Sequence, residues 1–177
     1  MTRNKMSLGQ VRMKEDDYKL LDQLEEAFKA KDVPYFISFL ERSKDFPLLL
    51  RVHSVCMLEH MGNELVVPQL CKVLNEDSSP LTRHEAAFTL GQLGYRSAVP
   101  ALITAMRTDP SPIVRHESAV ALSSIGDDLA IPELEKAMED SDEDVSNSAL
   151  IAFEYLSYLR REKRTPKVSY EKPKIRL

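Results

Sequence analysis

The sequence predicts an all-α protein, a short solenoid of stacked helix pairs. Three observations predict it. A unit of 32 residues recurs with Arg51, Arg83 and Arg115 in register. Within each unit a leucine (Leu58, Leu90, Leu122), a glycine (Gly62, Gly94, Gly126) and a proline (Pro68, Pro100, Pro132) hold matching places. Asp-Ser-Ser-Pro and Asp-Pro-Ser-Pro then break the chain before the next unit.

Each element follows from these signals. The arginine and leucine lie on a first helix (A). The glycine falls just past it, where a left-handed residue ends a helix without a Cβ clash. The proline opens a second helix (B), where its missing N–H is not needed. A degenerate first unit precedes the three clear ones, with helix A over Asp16–Ala30 and helix B over Pro34–Arg42. A last helix over Val145–Arg160 closes the stack, giving about four helix pairs plus a closing helix. One pair cannot bury its own apolar face, whereas stacked pairs share a continuous core. The repeat domain is thus expected over residues 16–160, between a flexible basic arm over 1–15 and a disordered basic tail over 161–177.

The tail is charged unlike the rest. The last eighteen residues carry eight Lys/Arg against two Glu, leaving 16 Lys/Arg against 26 Asp/Glu elsewhere. A basic tail on an acidic body can grip nucleic acid or an acidic protein, or simply be solvated; the solvated reading is preferred and nucleic acid ranks as a distant partner. No run of eighteen apolar residues is present, so no membrane helix is expected, and the opening MTRNKMSLGQVRMKE does not read as a secretory signal. Cys56 and Cys71 sit at apolar phases and form no C-x-x-C pair, which predicts reduced core residues and a cytoplasmic location. There is no Gly-rich phosphate loop, nucleophile elbow or zinc-type Cys/His cluster.

On helix A of the fourth unit, Val114, Ser118, Ala121, Leu122 and Ile125 fall within about 80° and form the core stripe. His116 lies opposite with Val120 and Ser123, and Glu117 is on the flank. In the third unit His84 shares its side with Phe88 and Gly91, with Glu85 on the flank. Neither helix has a charge between its glutamate and its terminal glycine, whereas the B helices carry Lys72, Glu76, Arg107, Glu133, Glu135, Lys136 and Glu139. The B helices are therefore expected to face water and the A helices to line a surface that is covered. The small Gly91 and Ser123 would admit a close approach. A second copy, a partner or a lid would each serve.

Two of the four histidines share one repeat phase and are each followed by glutamate: His84-Glu85 and His116-Glu117. Packed helices lie about 8–10 Å apart, so equivalent side chains can reach a common point. Two imidazoles and a carboxylate form the set that holds non-haem Fe(II) with open positions, and His84, His116 and Glu117 can supply it. Glu85 is then free to accept a substrate ammonium, or ligates as well. The competing reading leaves both pairs as ordinary helix-surface residues. His53, at the phase of Glu85, and His60, near a helix C-terminus where a cation suits the dipole, read as structural. The repeated arginines read as a ladder tying units together through neighbours such as Asp77 and Asp109.

Val114 to Gly126 resembles the V-R-x-x-A-x-x-A-L-x-x-I-G pattern of HEAT repeats of the short, bilin-lyase-like type. That pattern names a fold, not a function. Leu48–Arg160 resembles one half of deoxyhypusine hydroxylase, most closely in NEDSSPLTRHEAAFTLGQLG and PIVRHESAVALSSIGD. The resemblance implies two pseudo-symmetric HEAT halves, each with two His-Glu motifs, and two irons between them that activate O₂ to hydroxylate deoxyhypusine on a translation factor. It assigns His84, His116 and Glu117 as iron ligands and Glu85 as the contact to the substrate amine. This sequence carries two motifs where the family has four; Val52-His53 and Asn147-Ser148 stand in the neighbouring units. The expected function is a diiron oxygenase completed by a homodimer, with two irons per dimer and one ligand set per chain. The alternative is a non-catalytic HEAT scaffold that binds a protein partner through the A-helix face.

Overall fold

The computed structural model describes residues 13–162, which form nine α-helices joined by turns and short 3₁₀ segments. Helices α1 (Glu15–Lys29), α3 (Leu48–Glu59), α5 (Pro80–Leu93), α7 (Pro112–Ile125) and α9 (Glu143–Arg161) form the A row. Helices α2 (Val33–Glu41), α4 (Val67–Glu76), α6 (Val99–Thr108) and α8 (Ile131–Ala137) form the B row. Neighbours pack along each row, α3 on α5 on α7 on α9 and α2 on α4 on α6 on α8. The chain is therefore an all-α HEAT-type solenoid, as the repeat predicts. No described helix is long and apolar enough to cross a membrane. The expected arm and tail lie outside the described residues except at their inner ends.

The turn residues act as the sequence implies. Gly62, Gly94 and Gly126 adopt φ of 59°, 73° and 75°, the left-handed conformation that closes each A helix. In the degenerate first unit Lys31 takes that role at φ 54°. Pro34, Pro68, Pro100 and Pro132 lie in the first turn of each B helix. Leu58, Leu90 and Leu122 from the A row and Leu70, Leu102 and Leu134 from the B row are fully buried, so the repeated leucines form the core between the rows.

The arginine ladder is present. Arg51 pairs with Asp77, Arg83 grips both oxygens of Asp109 at 2.7 and 2.8 Å, and Arg115 grips Asp140 likewise. Arg83 also donates to the Asp77 carbonyl at 2.8 Å, and Arg115 to the Asp109 carbonyl at 3.0 Å. Arg83 and Arg115 thus stitch their own A helices to the turns on both sides, whereas Arg51 reaches only the turn after α4; the carboxylates in turn accept backbone N–H groups of those turns.

Two expectations are corrected. Cys56 and Cys71 are free thiols and both are half-buried; Cys71 packs against the core, but Cys56 does not. Gly91 is not held open for a covering body. A Cβ there would lie 2.9 Å from both Cα and Cβ of Ala121, so its smallness serves the contact between α5 and α7.

Candidate functional site

The two His-Glu pairs sit on the second turns of α5 and α7, adjacent members of the A row. Proline at the first position of each helix and the arginine anchored three residues later fix where those turns begin. His84 therefore meets Glu117 across the seam between α5 and α7.

His84 is the hub. Its Nε2 lies 3.3 Å from Oε2 of Glu117 and its Nδ1 lies 3.4 Å from Oε1 of Glu85. The Glu117 carboxylate holds the His84 pKa above the ordinary imidazole value; burial opposes this and the Glu85 charge adds to it. Glu117 is only 8% exposed, a buried carboxylate set against the His84 ring. Glu85 Oε2 accepts a hydrogen bond from the Cys56 thiol on α3 at 3.5 Å. Burial, followed by the Glu85 charge and hydrogen bond, pushes the Cys56 pKa up to about 11.

His116 faces the other way. Its Nδ1 lies 2.7 Å from the Ser148 hydroxyl on α9. Among the described residues, no three His, Cys, Asp or Glu side chains already converge as a ligand set. His84, Glu85 and Glu117 are brought together, while His116 is on the adjoining helix with its ring engaged by Ser148. His53 pairs with Glu25 of α1 at 3.0 Å, and His60 caps α3 beside Phe28, in keeping with structural roles.

The donor set nevertheless suits a metal in kind. His84 Nδ1 is buried without any hydrogen bond, an atom with an unspent lone pair or proton. A buried carboxylate and a second imidazole lie on the neighbouring helix. Divalent iron takes imidazole and carboxylate donors of this sort.

Sequence reasoning passed over Cys56 and Ser148. Cys56 shares a repeat phase with Phe88, on the same side as His84, and that phase was its signal. Ser148 occupies the phase of Glu117 once the third unit is counted at 31 residues. A regularity follows: the residue at the glutamate phase touches the preceding A helix, Glu117 at His84, Ser148 at His116, Glu85 at Cys56 and His53 at Glu25.

The fold is a HEAT-type solenoid, and a model of HEAT repeats matches residues 67–154. Human deoxyhypusine hydroxylase, solved in complex with glycerol, is similar in structure with a TM-score of 0.67 and 26% identity. The match covers 80% of this chain and 48% of that one, so the chain spans about half the length of that enzyme. Comparison with curated protein sequences finds no match. The chain thus carries a HEAT-repeat fold of the deoxyhypusine-hydroxylase type.

Proposed function

We propose that this chain is an iron-dependent oxygenase of deoxyhypusine-hydroxylase type, acting on a basic, lysine-derived side chain of a protein. The observation that carries the reading is that His84-Glu85 and His116-Glu117 stand on the adjacent helices α5 and α7, joined by the His84–Glu117 contact, in a fold shared with human deoxyhypusine hydroxylase. His84, His116 and Glu117 would hold the iron. When bound, iron supplies the Lewis-acid and redox chemistry that O₂ activation requires.

The protein's own residues have distinct tasks. Glu85 is the substrate-binding carboxylate: partly buried, adjoining the seam, and able to take an ammonium group in place of its weak thiol donor. Cys56 stays protonated at neutral pH, so it donates to Glu85 without adding a second negative charge. Phe88 and Val120, one turn along the same side, give an apolar wall for the aliphatic stem of a lysine-like chain. An acidic body attracts such a substrate.

Two His-Glu motifs make one ligand set. Two copies related by a two-fold axis would face two sets toward each other and form a diiron centre. A second reading, a non-catalytic scaffold binding a protein partner along the A row, is favoured by one observation: the His116 ring is engaged by Ser148 rather than turned toward His84.

Loading the full chain with ferrous iron and measuring iron content with molecular mass separates them. Iron-bearing dimers with visible absorption after air exposure support the oxygenase. Colourless, iron-free protein leaves the scaffold. His84→Ala with His116→Ala is expected to abolish iron binding and preserve helix content, because both side chains lie off the core stripe.

A further inference from the structure

Ser148 stands between two partners on α9. Its Oγ lies 2.7 Å from the Asp144 carbonyl oxygen, one turn back, and 2.7 Å from His116 Nδ1 on α7. A serine hydroxyl has one proton to give. Two oxygens at 2.7 Å attract only with a proton between them; otherwise their lone pairs repel, and this is the ordinary length of an O–H···O bond. The Ser148 proton is therefore committed to the Asp144 carbonyl. Toward His116 the hydroxyl can only accept, so Nδ1 must carry hydrogen. In the neutral ring the lone pair then resides on Nε2.

We propose that Ser148 is a positioning residue that fixes His116 as the Nδ1–H tautomer and leaves Nε2 as the nitrogen available to a ligand. This deepens the iron-site reading above and rests on it for its functional meaning. A histidine that binds a metal ordinarily donates its other ring N–H to an acceptor, which sets both tautomer and orientation. At His84 the corresponding Nδ1 makes no hydrogen bond and has only the Glu85 carboxylate near it, at 3.4 Å. Ser148 stands at the phase where α5 and α7 carry Glu85 and Glu117, so the repeat that lacks a His-Glu pair still serves its neighbour's histidine. The substitution has a physical logic. A glutamate there would accept from His116 but add a negative charge; the serine, with its proton engaged by its own helix, accepts without charge.

The test uses the full chain, metal-free, with ¹⁵N in the histidine rings, at about pH 8.5, where an ordinary imidazole is neutral. Two-bond ¹H–¹⁵N correlations report which nitrogen is protonated, and the His116 signals are assigned by their loss in His116→Gln. The expected pattern is Nδ1–H in the parent, a shift toward Nε2–H in Ser148→Ala, and recovery of Nδ1–H in Ser148→Thr. Threonine keeps a hydroxyl that can bond the same carbonyl. Helix content by circular dichroism confirms that each variant folds. With ferrous iron as probe under nitrogen, Ser148→Ala should bind roughly 10–100-fold more weakly than the parent, and Ser148→Thr near the parent. Nε2–H in the parent, or a tautomer unchanged by Ser148→Ala, overturns the assignment. The predicted tautomers together with no iron binding by any variant would uphold the role of Ser148 in setting the ring and overturn the iron-site reading.

Discussion

Nε2 of His84 on α5 lies 3.3 Å from Oε2 of Glu117 on α7, joining the two in-register motifs into one electrostatic unit. The contact places a titratable cation against a buried carboxylate, the arrangement in which a proton and a metal compete for the same ligands. Glu117→Gln should therefore lower the His84 pKa, since the carboxylate is the chief cause of its elevation. The sign for stability follows. A raised folded-state pKa contributes stability that is full below the unfolded value and lost as pH rises through the folded value. Metal-free parent protein should lose more thermal stability than Glu117→Gln across that interval, read by NMR titration of His84 beside melting curves.

The Arg83–Asp109 pair should dominate the stability of the stack. Both side chains are buried, and the guanidinium makes two bonds to the carboxylate and one to the Asp77 carbonyl. Removing one partner strands the other charge, which typically costs about 3–5 kcal/mol. Arg83→Ala should show a loss of that size in urea unfolding. Arg96→Ala, whose arginine is exposed beside Asp127, should change stability by no more than about 1 kcal/mol.

Gly91→Ala should destabilise although alanine is the better helix former. Propensity gains roughly 1 kcal/mol. Against it, the new methyl meets Cα and Cβ of Ala121 at 2.9 Å, and the backbone atom cannot turn aside. Overpacking of this kind costs about 1–3 kcal/mol, so a lowered melting temperature is expected; an unchanged or raised one would show that α5 and α7 can part freely.

Cys56 should alkylate slowly. With a pKa of about 11, roughly a thousandth of it is thiolate at pH 8. Glu85→Gln removes the nearby negative charge and should speed the reaction with iodoacetamide, measured by mass spectrometry on the Cys56 peptide. An unchanged rate would place Cys56 away from Glu85.

Much of the fold was legible because stacking repeats the same few constraints. The helices expected over Asp16–Ala30, Pro34–Arg42 and Val145–Arg160 lie at Glu15–Lys29, Val33–Glu41 and Glu143–Arg161. Arginine, glycine and proline in register mark a start, a stop and a start, and each signal is local. The partners Asp77 and Asp109 were legible too, since the arginine recurs at a fixed distance from each turn. What was not legible depends on how one A helix is rotated against the next. Helix phase alone put Cys56 in the core and left Gly91 facing a partner, but the stacking turns Cys56 to Glu85 and Gly91 to Ala121. The same rotation decides that His84 meets Glu117 while His116 meets Ser148. Periodicity gives a side chain's direction; the neighbour it meets is set by helix packing.

The most direct test of the account is the iron content of the full chain, reconstituted with ferrous iron and weighed by sedimentation. About one iron per chain in a dimer is expected, both lost together in His84→Ala with His116→Ala. A monomer that takes up no iron under the same conditions would contradict it and leave the seam between α5 and α7 a structural contact.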